Sequence, residues 1–135
     1  MYQHASHQRQ QTLNALGKSL TRRSHARCEL CQAQGQKLSP LEVLPLPETP
    51  DIDHTLFLCQ TCIDQIRGRT PLSPNHWHCL STAIWSQIPP VQVAAVRLLK
   101  KLHHLDWARE LEEDLYLEEH ISDWVDAVDK ASTMK

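Results

Sequence analysis

Four of the five cysteines in this 135-residue chain fall into two pairs with identical spacing. Cys28 and Cys31 form one C-x-x-C motif, and Cys59 and Cys62 form a second. Two residues between cysteines allow a tight turn to direct both sulfurs at one ion, and four thiolates in a tetrahedron are a ligand set of structural zinc sites. The sequence therefore predicts one structural Zn²⁺, held by Cys28, Cys31, Cys59 and Cys62.

The spacer between the two pairs is long for such a site. It holds 27 residues, whereas the usual spacer has about 15–20. Closing the longer loop costs only about 0.4 kcal/mol of additional chain entropy, and zinc binding in finger peptides contributes about 10–16 kcal/mol. The length of the spacer therefore does not argue against a shared ion.

Other uses of paired cysteines fit the sequence less well. The polar N-terminus lacks the apolar stretch of an export signal, and cytoplasmic thiols stay reduced, which disfavours structural disulfides. A redox C-x-x-C motif belongs to a βαβ context, and two copies in one small domain would be unusual. No apolar run approaches the ~18 residues of a membrane span. We therefore expect a cytoplasmic protein that does not cross a membrane.

Charge is unevenly distributed along the chain, although the formal total is only −2. Residues 1–40 carry six Lys or Arg against one acid, and residues 111–135 carry two against eight. A basic segment can attract an acidic partner, although a solvated surface is the commoner explanation. The predicted partner is an unknown protein or a nucleic acid, and its candidate contacts are Arg9, Lys18, Arg22, Arg23 and Arg27. The arginines closest to the first cysteine pair could also screen a zinc–thiolate centre.

The sequence around the cysteines predicts short strands and turns. β-prone runs at Leu41–Leu44 and Thr55–Leu58 are separated by a proline-rich loop that begins at Pro45. A short helix is expected at Ile63–Arg67, with Cys62 in a first helical turn. A turn, a hairpin and a helix that carries the second pair outline a treble clef, whereas a plain zinc ribbon would place that pair on another hairpin.

Helices are predicted on both sides of the cysteine-rich segment. The first runs from about Ser6 to Ser24 with a narrow apolar stripe at Leu13, Leu16 and Leu20. Four more are expected: the first is capped by Ser73, the second begins at Pro90, the third is capped by Asp106, and the fourth lies near Glu118. Their apolar positions, including all four tryptophans, are expected in the core: Trp77, Leu80, Ile84, Trp85, Val91, Ala94, Ala95, Leu98, Leu99, Leu102, Trp107, Leu111, Leu115, Ile121, Trp124, Val125 and Val128.

These elements predict a mainly α protein in which a small treble-clef or zinc-ribbon hairpin module with one zinc site packs on a bundle of four to five helices. Residues 1–24 form an N-terminal helix and basic arm, residues 25–69 the zinc module, and residues 70–135 the bundle. We expect the three parts to pack as one compact unit.

Four segments together resemble a known family. They are TRRSHARCELC from Thr21, LCQTCIDQI from Leu58, PNHWHCLSTAIWSQIPPVQVAAVRLL from Pro74 and DLYLEE from Asp114. Over about residues 18–127 they are similar to the N-terminal zinc-ribbon region of PhnA-like proteins. Larger members of that family continue after the helices into a small β-rich domain that we do not expect within this sequence, which either is a fragment or works without that domain. The resemblance implies zinc binding, and it does not imply cleavage of phosphonates.

A catalytic zinc ion keeps one coordination position open, and four cysteines leave none. We therefore expect a non-catalytic interaction module. The alternative is a nucleic-acid-binding protein or a metal-dependent nuclease of the HNH type, in which metal-binding histidines lie between such cysteine pairs. Here only His54 lies between them, near Asp51 and Asp53. These three residues could hold a hydrated metal, or they could simply form a polar loop tip.

A second candidate metal site follows in the next segment. His76 and Cys79 are three residues apart and would share a helical face, so that with His78 they could reach one ion. Alternatively, Cys79 is a small buried hydrophobic residue and the histidines line the packed helix. The remaining histidines that we assign to the surface are His4, His7, His103 and His104.

Overall fold

The computed structural model describes residues 2–133, with side chains for residues 7–127. This part of the chain is mainly helical, as predicted. The helices are α1 (Tyr2–Ala15), α2 (Gly17–Ser24), α3 (Gln60–Ile66), α4 (Leu80–Ala83), α5 (Pro89–Lys101), α6 (Asp106–Asp114) and α7 (Glu119–Thr133). A two-stranded antiparallel sheet is formed by β1 (Leu38–Glu42) and β2 (Thr55–Cys59), and 3₁₀ turns lie at Ile52–His54 and His76–Cys79.

No helix in this described part is long and apolar enough to span a bilayer.

Three of the predicted surface histidines, His7, His103 and His104, are exposed. The predictions for His4 and Val128 fall outside the side chains that the structure describes.

The N-terminal helix predicted over residues 6–24 is two helices. The break lies at Leu16, whose φ is −79° and ψ is −6°, directly before Gly17 at the start of α2. Glycine is the least favourable non-proline residue within a helix, so the interruption falls where the sequence supports a helix least. Leu13 and Leu20 are buried on either side of the break, so the predicted apolar stripe still faces the core.

The sheet differs from its prediction in one strand. β2 matches within one residue, but β1 begins at Leu38, three residues before the predicted run Leu41–Leu44, and ends at Glu42. Pro40 lies within β1 and has no N–H to donate, which an edge strand tolerates because one side of it needs no partner. In the observed register Leu38 pairs with Cys59, so β1 runs beside the second cysteine pair.

α5 is the central helix of the C-terminal half. Prolines occupy its first turn, where their missing N–H groups have no helical partner. It contacts α4, α6 and α7, and it also contacts β2. All six core positions predicted for this helix are buried, and the last of them directly follows its end: Val91, Ala94, Ala95, Leu98, Leu99 and Leu102. These residues join the cysteines in one continuous core.

Two predicted helix starts are displaced. The segment after Ser73 does not form one long helix. It forms the 3₁₀ turn His76–Cys79 and then the short helix α4, and Ser73 occupies the cap position of neither. Asp106 is the first residue of α6, and Leu105 takes the cap position without a side-chain hydrogen bond.

The four tryptophans do not all lie in the core. Trp77 is fully buried, whereas Trp107 and Trp124 are partly buried against the core. Trp85 is 50% exposed, so its assignment to the core is wrong. The reason is that α4 ends at Ala83, whereas the helical spacing of apolar residues in the sequence continues beyond the end of the helix.

Candidate metal centre

The first cysteine pair lies on a tight turn. The Gln32 N–H donates to the carbonyl of Cys28 at 2.9 Å, and the Cys28 N–H donates to the carbonyl of Ala33 at 3.0 Å. Gln32 closes the turn with a left-handed φ of 66°. Cys28 is fully buried and Cys31 is half-buried. The turn therefore presents two sulfurs from a compact, internally hydrogen-bonded segment.

The second pair lies where β2 continues into α3. Cys59 is the last residue of β2, and Cys62 lies in the first turn of α3, as predicted. The two pairs are brought together through Glu29, whose N–H donates to the Phe57 carbonyl at 3.0 Å. The Phe57 N–H in turn donates to Oε1 of Glu29 at 2.8 Å. These bonds dock the first turn onto β2.

The four sulfurs lie within 4.8 Å of one another. The Sγ atoms of Cys28 and Cys62 are 3.7 Å apart, and those of Cys31 and Cys59 are 3.6 Å apart. A tetrahedron with metal–sulfur bonds of about 2.3 Å has edges of about 3.8 Å. None of the four cysteines forms a disulfide. The cluster therefore fits a single metal ion such as zinc.

The thiols strongly affect one another's ionisation. Hydrogen bonds with Cys31 and then with Cys62 lower the pKa of Cys28. The hydrogen bond with Cys28 raises the pKa of Cys31 to about 12, and it also raises the pKa of Cys62. The thiolate of Cys28 is thus stabilised, whereas the raised pKa values of Cys31 and Cys62 favour their protonated forms. Four thiolates at this spacing need a cation to neutralise them.

Two of the five predicted partner contacts are instead engaged within the protein. Arg23 forms a two-pronged ion pair with Glu29, at 2.8 and 2.7 Å, and its other bonds go to two backbone carbonyl oxygens. Arg9 forms the same kind of pair with Glu42, at 2.7 and 2.6 Å. Neither guanidinium donates to a cysteine sulfur in these contacts. Their observed role is to hold α1 and α2 against the sheet region.

The other three predicted contacts, Lys18, Arg22 and Arg27, are exposed. Lys18 and Arg22 are one helical turn apart on α2 and line a shallow groove with Phe57. The basic surface that solvent reaches is therefore smaller than the sequence indicates.

The residues considered for a hydrated metal do not form a cluster. His54 Nδ1 lies 2.7 Å from Asp51 Oδ1, and its ring packs on Trp124 with centroids 5.1 Å apart. Asp53 is exposed. Among the described side chains, the four cysteines are the only group of three or more potential ligands that lie close enough to share an ion.

The second candidate metal site is not assembled either. His78 stacks on Trp107 with ring centroids 4.3 Å apart. Cys79 is half-buried, and this burial raises its pKa to about 11. His76 points elsewhere, because its Nε2 lies 3.2 Å from Sγ of Cys62. Sequence reasoning missed this contact, since a separation of 14 residues carries no local periodic signal.

Comparison with protein families, with curated proteins and with solved structures finds no match to this chain. The resemblance to PhnA-like proteins therefore stays a prediction from the quoted motifs. The fold and site define a mainly helical protein in which a small antiparallel sheet and its flanking turn and helix hold a cluster of three buried cysteines and one half-buried cysteine.

Proposed function

We propose that this protein is a non-catalytic interaction module whose fold is stabilised by one structural Zn²⁺ bound to the four clustered cysteines. The spacing of the four sulfurs carries the proposal, because it matches the edges of a tetrahedral site. Four protein ligands leave no coordination position for water or substrate, so such an ion would contribute to folding and not to chemistry.

The elements around the cluster support a treble-clef arrangement. The first pair lies on a turn, β1 and β2 form the hairpin, and the second pair spans the junction of β2 with α3. A plain zinc ribbon would have a second hairpin in place of α3. This order is compatible with membership of the PhnA-like proteins, which we propose on the sequence motifs.

The partner is proposed to be acidic, with nucleic acid as the first candidate. Lys18, Arg22 and Arg27 are exposed. They lie within residues 1–40, where the one acid, Glu29, is already neutralised by its ion pair with Arg23. The remaining positive charge of this surface is therefore available to an external anion. A phosphate backbone contacted by these groups would bind in a salt-dependent manner.

The experiment is a salt-dependent gel shift of the zinc-loaded protein with duplex and single-stranded DNA and RNA. A Lys18→Ala, Arg22→Ala double variant should weaken binding and reduce the salt slope by about 1 for each phosphate that the variant no longer neutralises. The matched control is Lys100→Ala, Lys101→Ala, which removes the same charge from the exposed end of α5. Equal effects of the two double variants, or no binding, would argue against nucleic acid and for a protein partner.

The second candidate function is a metal-dependent nuclease. The observation in its favour is the bond between His54 and Asp51, because a carboxylate on Nδ1 orients an imidazole as a general base requires. A catalytic metal ion would have to bind at a position other than the four-cysteine cluster. Plasmid nicking in added Mg²⁺ or Mn²⁺ separates the two functions.

A further inference from the structure

One contact to the cysteine cluster comes from outside the two C-x-x-C motifs. Nε2 of His76 lies 3.2 Å from Sγ of Cys62. His76 is half-buried at the start of the second 3₁₀ turn, and its ring meets Trp77 edge-on, with centroids 4.7 Å apart and an interplanar angle of 87°. The imidazole is therefore held in one orientation and not free in solvent.

The chemistry of the two atoms fixes which one donates. A thiolate bound to a metal has no proton and can only accept a hydrogen bond, so the imidazole nitrogen that faces it must carry the proton. Backbone N–H groups of Cys31 and Cys59 make this kind of contact with the sulfur of Cys28. On Cys62 a side chain supplies the contact. Such donors orient metal ligands and tune the affinity of the site.

The segment that carries His76 is anchored on the same helix as Cys62. Oε1 of the buried Gln65 accepts from Nε1 of Trp77 at 2.7 Å and from the N–H of Ser73 at 2.9 Å. Gln65 lies three residues after Cys62 on α3, so the two contact points are neighbours on one helical face. Docking of residues 73–77 on α3 and placement of the imidazole over the sulfur therefore occur together.

We infer that His76 is a positioning residue of the metal centre: its Nε2–H donates to the Cys62 thiolate and thereby links retention of the metal to the docking of residues 73–77 on α3. This inference rests on the proposed metal centre. It assigns to His76 a role in holding the Cys62 ligand in place, in contrast to a role as a ligand of a second ion.

The first test measures zinc affinity by competition with a chromophoric chelator in three variants of the full chain. His76→Leu removes the donor and should weaken zinc binding by about 10–100-fold, the usual effect of losing such a partner. His76→Gln keeps an N–H donor and should restore most of the loss. His78→Leu is the matched control, since His78 lies in the same turn but stacks on Trp107, and it should bind zinc as the wild type does. Unchanged affinity in His76→Leu, or a loss that His76→Gln does not restore, would overturn the inference.

A second test needs no variant, so a folding defect cannot obscure it. In wild-type protein loaded with NMR-active cadmium, the Nε2 proton of His76 should show a scalar coupling to the metal through Sγ of Cys62. A spectrum in which this coupling is missing contradicts the inference. The two proposals remain distinguishable: a wild type that binds no metal contradicts the proposed function, whereas normal metal binding without the coupling contradicts the role of His76 alone.

Discussion

Arg23 and Glu29 form a two-pronged ion pair that joins α2 to the turn of the first cysteine pair. Nε and Nη2 of Arg23 lie 2.8 and 2.7 Å from the two carboxylate oxygens. The Glu29 side chain is 2% exposed and that of Arg23 is 17% exposed. Because Glu29 also accepts the N–H of Phe57, one buried carboxylate connects a helix, the cysteine turn and a strand.

Replacing Arg23 should therefore destabilise the protein strongly. Arg23→Ala leaves the Glu29 carboxylate buried without its counter-ion, and we expect a loss of about 3 kcal/mol in the free energy of unfolding. Arg22→Ala is the matched control, because Arg22 is exposed and should change stability by less than about 0.5 kcal/mol. Denaturant unfolding of the zinc-loaded variants measures both values. Equal midpoints for the two variants would show that the ion pair does not support the fold.

Gln65 provides a second stability test, at the contact between α3 and residues 73–77. Gln65→Met keeps the length of the side chain but removes the acceptor for Trp77 and Ser73. Two buried donors lose their partner, so the free energy of unfolding should fall by about 1–3 kcal/mol. Gln60→Met, on the exposed first turn of the same helix, should have little effect. If Gln60→Met were as destabilising as Gln65→Met, the buried bonds could not be the cause.

The Cys79 thiol should be alkylated slowly at neutral pH, and the rate of alkylation should rise with pH. Its burial raises the pKa to about 11, and only the thiolate attacks an alkylating reagent. In the zinc-loaded protein the rate of alkylation at Cys79 should therefore keep increasing as the pH is raised from neutral toward 11, whereas the unfolded chain should level off near the ordinary pKa of a thiol, about 8.5. Mass spectrometry of labelled peptides follows the site, with Cys79→Ala as the blank. A rate independent of pH above neutrality would contradict this assignment.

His54 should be dispensable for any nucleic-acid binding and should not support cleavage. We predict no plasmid nicking by wild-type protein in added Mg²⁺ or Mn²⁺, because a metal held by all four cysteines has no coordination position left for water or substrate. Nicking that requires a divalent metal and disappears in His54→Ala, while persisting in a Trp85→Ala control, would make the nuclease the leading function.

Features that depend on local spacing could be predicted from the sequence. The two C-x-x-C motifs, the buried face of α5 and the start of this helix within one residue of Pro90 all follow from patterns contained in one element. The placement of the second pair at the junction of β2 and α3 follows in the same way, because Cys59 directly follows a β-prone run and a short helix is expected directly afterwards.

Features that depend on the path of the chain could not be predicted. Arg22 and Arg23 are adjacent and chemically identical, yet one faces solvent and the other pairs with Glu29; the difference arises from how α2 packs on the sheet. The contact between His76 and Cys62 similarly requires residues 67–75 to fold back over α3. The periodicity of apolar residues within one element carries no information about a contact between two elements.

Metal content decides whether the four cysteines hold a structural ion. Elemental analysis of the purified chain, with thiol counts before and after chelation, should find one zinc per chain and four thiols that become reactive only when the metal is removed. Cys59→Ser should lose the metal and melt at a lower temperature, whereas Cys79→Ser should retain both metal and stability. A wild-type protein that holds no metal, with a melting temperature that neither chelator nor Cys59→Ser changes, would contradict the proposed zinc site.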